Sequence, residues 1–93
     1  MDTGRYDSLI TKAQELDGET GFTFASNDLE PLKENTSKAM DVIVHHILST
    51  FEVSEPVEHH MKALQESVDN AENFDKLDFL IQEFQTIVVN RYY

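Results

Sequence analysis

The sequence contains no cysteine, only three glycines and two prolines, and only seven lysine and arginine residues among 93. Without cysteine the chain has no disulfide, no zinc–thiolate site and no thiol nucleophile. This absence is typical of a reducing compartment, and we predict a cytoplasmic protein. No apolar run is long enough to span a bilayer, and the first residues lack the basic and apolar regions of a signal peptide. We therefore expect no membrane contact.

The shortage of basic residues leaves 18 acidic side chains and a formal net charge of -11. Such a charge favours solubility and fast association with positively charged surfaces. It repels the phosphates of nucleic acids and of anionic lipids. We therefore expect a basic protein partner and no direct nucleic-acid binding. Six phenylalanines and three tyrosines accompany regularly spaced aliphatic residues, which distinguishes the chain from a disordered acidic tail.

Apolar residues recur three and four positions apart along most of the chain, which predicts amphipathic helices. Their expected bounds are 5–17, 26 or 27 to 51 or 52, 54 to 69 or 72, and 74 to near the end of the sequence. Residues 18–26 form the one irregular segment, and we expect a loop that covers the core with Phe22 and Phe24. The fold class is therefore all-α: one domain over residues 1–93, built as a small antiparallel bundle of about four helices. A merger of the last two helices into one kinked rod is the alternative.

The apolar faces of these helices predict the core, and Ser54 is expected to cap the third helix. The predicted core residues are Tyr6, Leu9, Ile10, Ala13, Leu16, Leu32, Thr36, Ala39, Met40, Ile43, Ile47, Phe51, Val57, Met61, Leu64, Val68, Phe74, Leu77, Leu80, Ile81, Phe84, Ile87 and Val88.

Acidic residues follow the second and third helices at helical spacing. On the second helix they project within about 40° of one another, almost opposite the apolar face. A second series recurs every three residues, from Glu52 to Glu58 and again from Glu66 to Asp78. On a helix this spacing is roughly 4.5 Å along the axis, against ~3.4 Å between phosphates of one DNA strand. The predicted partner-binding residues are Glu30, Glu34, Asp41, Glu52, Glu55, Glu58, Glu66 and Asp69.

A solvated helix face is the simpler explanation of any one of these acids. A purely structural face, however, usually interleaves lysines four residues away. Lys38, Lys62 and Lys76 are too few to do this for the whole set. The imbalance therefore favours capture of a basic protein surface.

Two histidine pairs, His45-His46 and His59-His60, stand out in a chain with four histidines. His46 and His60 are the weak candidates for a metal site, because imidazole and nearby carboxylates suit zinc or another divalent transition metal. No metalloprotease or di-iron motif accompanies them. We therefore expect partly buried, hydrogen-bonded histidines, with no metal and no cofactor.

The fourth helix carries a second apolar face, formed by Phe79, Val89 and Tyr93. Such a face either contacts another chain or lies at the centre of its own bundle. A homodimer through this face is one hypothesis, and coverage of Phe79 by the loop at 18–25 is the other. The pair Tyr92-Tyr93 is either an exposed anchor or a frayed end.

No nucleophile beside a base, no phosphate-binding glycine loop and no metalloprotease motif is present, so we do not expect an enzyme. The leading hypothesis is a non-catalytic acidic inhibitor of bacterial or phage type, an immunity protein or a DNA mimic. It would occupy a basic surface of a nuclease, a toxin or a nucleic-acid-binding protein. A self-associating adaptor module is the second hypothesis, and a histidine-based metal-binding bundle is the third.

Overall fold

The computed structural model describes residues 4–17 and 29–93, and these form an all-α fold of four main helices without strands. The helices are α1 (Gly4–Asp17), α2 (Leu29–Thr50), α3 (Glu55–Asp69) and α4 (Phe74–Phe84). The chain continues from α4 through a π-helical segment (Gln85–Val89) into the short α5 (Asn90–Tyr92). The predicted fold class is confirmed. The loop predicted at 18–26 and the start of the second helix at Ser26 or Asn27 lie outside the described residues.

Each helix packs on its neighbours along the chain, and α4 closes the ring by packing on α1. The α1–α4 contact is polar at its edge. Arg5 forms an ion pair with Asp78, and Gln85 Nε2 donates to the Arg5 carbonyl oxygen at 3.1 Å. Within the described residues, no helix combines the length and the apolar character needed to cross a bilayer.

Most residues of the predicted apolar stripes form the core, but five of them are only partly buried against it: Leu16, Val57, Phe74, Leu80 and Ile87. Val44 and Ala71 are buried although the stripes did not include them. The largest fully buried side chains of the core are Tyr6, Phe84, Leu9, Ile10, Leu32, Met40, Ile43, Ile47, Met61, Leu77, Ile81 and Val68. Thr36 is also buried, because its hydroxyl donates to the Leu32 carbonyl oxygen at 2.7 Å.

The predicted core is wrong at Phe51. We expected it on the apolar face of α2, but α2 ends at Thr50 and the Phe51 side chain is 37% exposed. Its ring packs instead on Tyr92 and Tyr93, with centroid separations of 5.3 and 5.9 Å. Extrapolating a helical face beyond the last turn therefore misplaced this ring.

The break between α3 and α4 shows that they are separate helices rather than one kinked rod. Asn73 is the N-cap of α4, and its Oδ1 accepts a hydrogen bond from the Lys76 backbone N–H at 2.9 Å. Ser54 stands at the N-cap of α3 as predicted, but its side chain makes no capping hydrogen bond.

These two caps provide a matched prediction. Asn73→Ala is expected to lower the free energy of unfolding by about 1 kcal/mol, because it removes a capping hydrogen bond. Ser54→Ala is expected to lower the free energy of unfolding by only a few tenths of that amount, because the Ser54 side chain makes no capping hydrogen bond. Urea unfolding of both variants beside the wild type checks this, and equal losses would contradict the capping assignment.

The buried phenol of Tyr6 makes the stability of the fold dependent on pH in the alkaline range. Its side chain is 2% exposed, and Asn35 Nδ2 donates to its hydroxyl oxygen at 3.0 Å. Burial raises the pKa of the Tyr6 phenol above its ordinary value of 10.0, the Asn35 hydrogen bond lowers it by less, and the charge of Asp7 raises it. The folded state therefore holds this proton more tightly than the unfolded state does.

The resulting stability is fully present below about pH 10 and is lost as the pH rises through the folded-state pKa. Tyr6→Phe is expected to cost about 1 kcal/mol near neutral pH, where it removes one hydrogen bond. Above about pH 10 the difference in the free energy of unfolding between variant and wild type should become smaller, because only the wild type must ionise this group. Chemical unfolding at neutral and alkaline pH measures this difference. A difference that does not change with pH would show that Tyr6 does not cause the loss of stability at alkaline pH.

Candidate functional site

Helices α2 and α3 run antiparallel and bring their acidic residues together on one side of the molecule. At mid-length, Gln65 Nε2 donates to Asp41 Oδ1 at 3.2 Å. Toward the start of α2, Ser37 lines one groove with Lys62, Gln65, Glu66 and Asp69. Asp69 also lines the adjoining groove, together with Glu30, Pro31, Lys33, Glu34, Ser37 and Lys38. The two grooves are therefore continuous along the α2–α3 boundary.

We call this surface the acidic face. It comprises Glu30, Glu34 and Asp41 on α2, and Glu55, Glu58, Glu66 and Asp69 on α3. Glu58 is partly buried and the other six are exposed. Glu52, which we predicted on the same stripe as Glu30, lies beyond the end of α2 at Thr50, so the helical wheel does not place it on this face. The pocket linings and the Asp41–Gln65 bond bring Glu30, Glu34, Asp41, Glu66 and Asp69 together directly. Spacings of three and four residues place Glu55 and Glu58 on the same side of α3 as Glu66 and Asp69.

Lysines neutralise part of this charge, and they do so more systematically than the sequence count indicated. Lys33 Nζ lies 3.5 Å from a carboxylate oxygen of Glu30, three residues before it. Three further lysines each pair with a glutamate four residues before them: Lys38 with Glu34 at 3.3 Å, Lys62 with Glu58 at 3.2 Å, and Lys76 with Glu72 at 3.9 Å. Exposed pairs of this kind contribute at most about 1 kcal/mol each. Glu30, Glu34 and Glu58 therefore support their own helices as well as contributing to the face.

Three acids of the face have no ion pair within 4 Å among the described residues: Glu55, Glu66 and Asp69. Seven carboxylates and the ammonium groups of Lys33, Lys38 and Lys62 give the face a formal charge of -4, of the -11 on the whole chain. The face therefore holds more than a third of the net charge. Its exposed carboxylates can accept charge-assisted hydrogen bonds from lysine or arginine side chains of another protein.

The expectation of partly buried histidines is confirmed for His46 alone, because His45, His59 and His60 are exposed. His46 Nδ1 is hydrogen-bonded to the Tyr93 hydroxyl, and His45 Nδ1 lies 3.3 Å from Asp41 Oδ1 and 2.9 Å from the Asp41 carbonyl oxygen. His46 lines a groove with Leu16 of α1, whereas His60 is exposed on α3. Within residues 4–17 and 29–93, no three His, Cys, Asp or Glu side chains are grouped closely enough to hold a metal ion.

An aromatic cluster joins the end of the chain to the end of α2, and sequence reasoning did not find it. Tyr93 packs edge-on against Phe51 and tilted against His46, each at 5.9 Å between ring centroids. Lys12 Nζ lies 4.4 Å from the centroid of the same ring. Burial raises the pKa of the Tyr93 phenol above its ordinary value. Tyr93 therefore contacts Lys12, His46 and Phe51 while its side chain remains 43% exposed.

The three residues of the proposed α4 face differ in environment. Val89 is partly buried against the core, and Tyr93 belongs to the aromatic cluster. Phe79 is 57% exposed, the most exposed large apolar side chain among the described residues. The exposed apolar surface of α4 is therefore centred on Phe79.

No family model, no curated protein and no solved structure matches this chain. The functional interpretation therefore depends on the residues and their arrangement.

Proposed function

We propose that this protein is a non-catalytic, acidic protein-binding inhibitor. Its acidic face would occupy a basic surface of a nuclease, a toxin or a nucleic-acid-binding protein. The observation that carries the proposal is the antiparallel α2–α3 pair, which gathers carboxylates from both helices along one continuous boundary. We place this activity in the cytoplasm, where such a partner would be intercepted in its folded state.

The acidic face carries its carboxylates in two rows, one on each of two packed helices. From Glu30 to Asp41 the face covers roughly 17 Å of α2, and from Glu55 to Asp69 roughly 21 Å of α3. One turn of duplex DNA is roughly 34 Å long, so the face matches about half to two thirds of a turn.

The unpaired acids support binding over a purely structural role. Glu66 lies in the last turn of α3 and Asp69 is its last residue, where the helix dipole disfavours negative charge. Neither side chain has an ion-pair partner among the described residues to offset this. Their placement costs helix stability, and a basic partner would convert that cost into binding energy.

Affinity capture tests this function. The tagged protein is incubated at low salt with lysate of the cells that produce it, and the retained proteins are identified by mass spectrometry. We expect a basic nucleic-acid-binding protein or nuclease that is released by high salt and by added duplex DNA. Retention of proteins that neither salt nor DNA displaces would contradict the proposal.

A further inference from the structure

A second exposed surface lies on the other side of α3 and is centred on Phe79. At about 100° per residue, Phe79 projects directly away from the direction shared by the buried Leu77, Ile81 and Phe84. A groove beside it runs between α4 and the end of α3. Its lining residues are Ser67, Asn70, Ala71, Lys76, Phe79 and Leu80.

Lys76 is the only charged residue among those that line this groove, and the unpaired carboxylates lie on either side of the Phe79 ring. Asp75 lies one turn before Phe79 and Glu83 one turn after it on the same side of α4, so both flank the ring. Neither has an ion pair within 4 Å among the described residues, whereas Lys76 pairs with Glu72 at 3.9 Å. An apolar centre flanked by unpaired carboxylates complements a segment that carries an apolar residue between basic ones.

A second copy of this chain fits this groove poorly. A two-fold contact centred on Phe79 would set Asp75 and Glu83 of each copy against the same residues of the other. It would also join two chains of net charge -11.

We propose that this groove binds a cationic amphipathic helix of a protein partner. An apolar side chain of that helix packs on Phe79 and Leu80, and its lysine or arginine side chains pair with Asp75 and Glu83. Amphipathic helices commonly bind through an apolar stripe laid in a groove. Charge-assisted hydrogen bonds to the flanking carboxylates orient the bound helix. This site is separate from the acidic face and does not depend on the function proposed for it.

The test measures binding of two dye-labelled peptides by fluorescence anisotropy near physiological salt. One peptide is a leucine–lysine amphipathic helix of about 18 residues, five helical turns. The other has the same composition in an order without an apolar stripe. We expect the wild type to bind the amphipathic peptide at least about tenfold more tightly than the scrambled one.

Two variants locate the binding. Phe79→Ser and Asp75→Lys/Glu83→Lys are each expected to weaken binding of the amphipathic peptide by about tenfold or more. Glu66→Lys/Asp69→Lys changes the net charge by the same amount as the second variant and should leave the preference between peptides intact. Circular dichroism confirms that each variant is folded. Equal affinity for the two peptides, or no effect of Phe79→Ser, would overturn the proposal.

Sedimentation of the wild type tests the competing occupant. A monomer over the concentration range used for anisotropy is the expected result. A dimer that Phe79→Ser converts to a monomer would show that a second copy occupies the groove. If the groove does not bind the peptide, the function proposed for the acidic face is not affected, because different variants test the two sites.

Discussion

Reversing Glu66 and Asp69 to lysine is expected to slow association with the captured basic protein by about tenfold or more at low salt. Each reversal changes the charge by two, so the double variant carries -7 instead of -11. The lysines replace two unpaired carboxylates at the end of the acidic face, where the last turn of α3 meets the start of α2, and would repel the partner there. Lysine is favourable in the last turn of a helix, so α3 should remain intact. Stopped-flow mixing measures the association rate.

The matched control is Asp75→Lys/Glu83→Lys, which also brings the net charge to -7 but acts on the outer side of α4. Neither acid has an ion-pair partner among the described residues, so no existing pair is lost. The control should slow association only slightly, through the smaller overall field. Equal slowing by the two variants would show that net charge, and not the acidic face, governs the encounter.

Phe84→Ala is expected to lower the free energy of unfolding by about 3–5 kcal/mol, a large part of a total of about 5–15 kcal/mol for a domain. The Phe84 side chain is 0% exposed, so the truncation leaves a cavity where α4 meets the other helices. The matched control on the same helix is Phe79→Ala. Because Phe79 projects away from the core, its truncation should change stability by no more than about 0.5 kcal/mol.

Urea unfolding followed by circular dichroism compares the two phenylalanine variants. If Phe84→Ala does not fold, Phe84→Leu retains most of the volume and should cost only about 1–1.5 kcal/mol. Similar losses for Phe84→Ala and Phe79→Ala would contradict the orientation of α4 and with it the exposed groove.

Helical periodicity and local chemistry were sufficient to predict the fold class and most of the core. The start of α4 illustrates why: Asn73 supplies a cap within three residues of the N–H that it accepts from, so the signal is local. Phe51 was misplaced because its partners, Tyr92 and Tyr93, are some forty residues away along the chain. The hydrogen bond between His46 and Tyr93 has the same long-range character.

The acidic face was predicted as two separate rows of carboxylates. The sequence places Glu30 and Glu34 on one helix and Glu66 and Asp69 on another by periodicity alone. That Asp69 shares a groove with Glu30 and Glu34 depends on the packing of α2 against α3, which no single helix encodes. The ion pairs of the lysines, in contrast, are local. The pair Glu34–Lys38 follows from an i,i+4 spacing that the sequence shows, whereas the number of lysines alone did not indicate that they pair with acids of the face.

The association rate of the wild-type protein with its captured partner, measured over a series of salt concentrations, tests the acidic face most directly. Electrostatic steering by exposed charges weakens as the Debye length falls from about 30 Å at 0.01 M to about 8 Å at 0.15 M ionic strength. We predict a steep fall in the association rate over this range, with a much smaller change in the dissociation rate. An association rate independent of salt would contradict the proposal that the acidic face captures a basic surface.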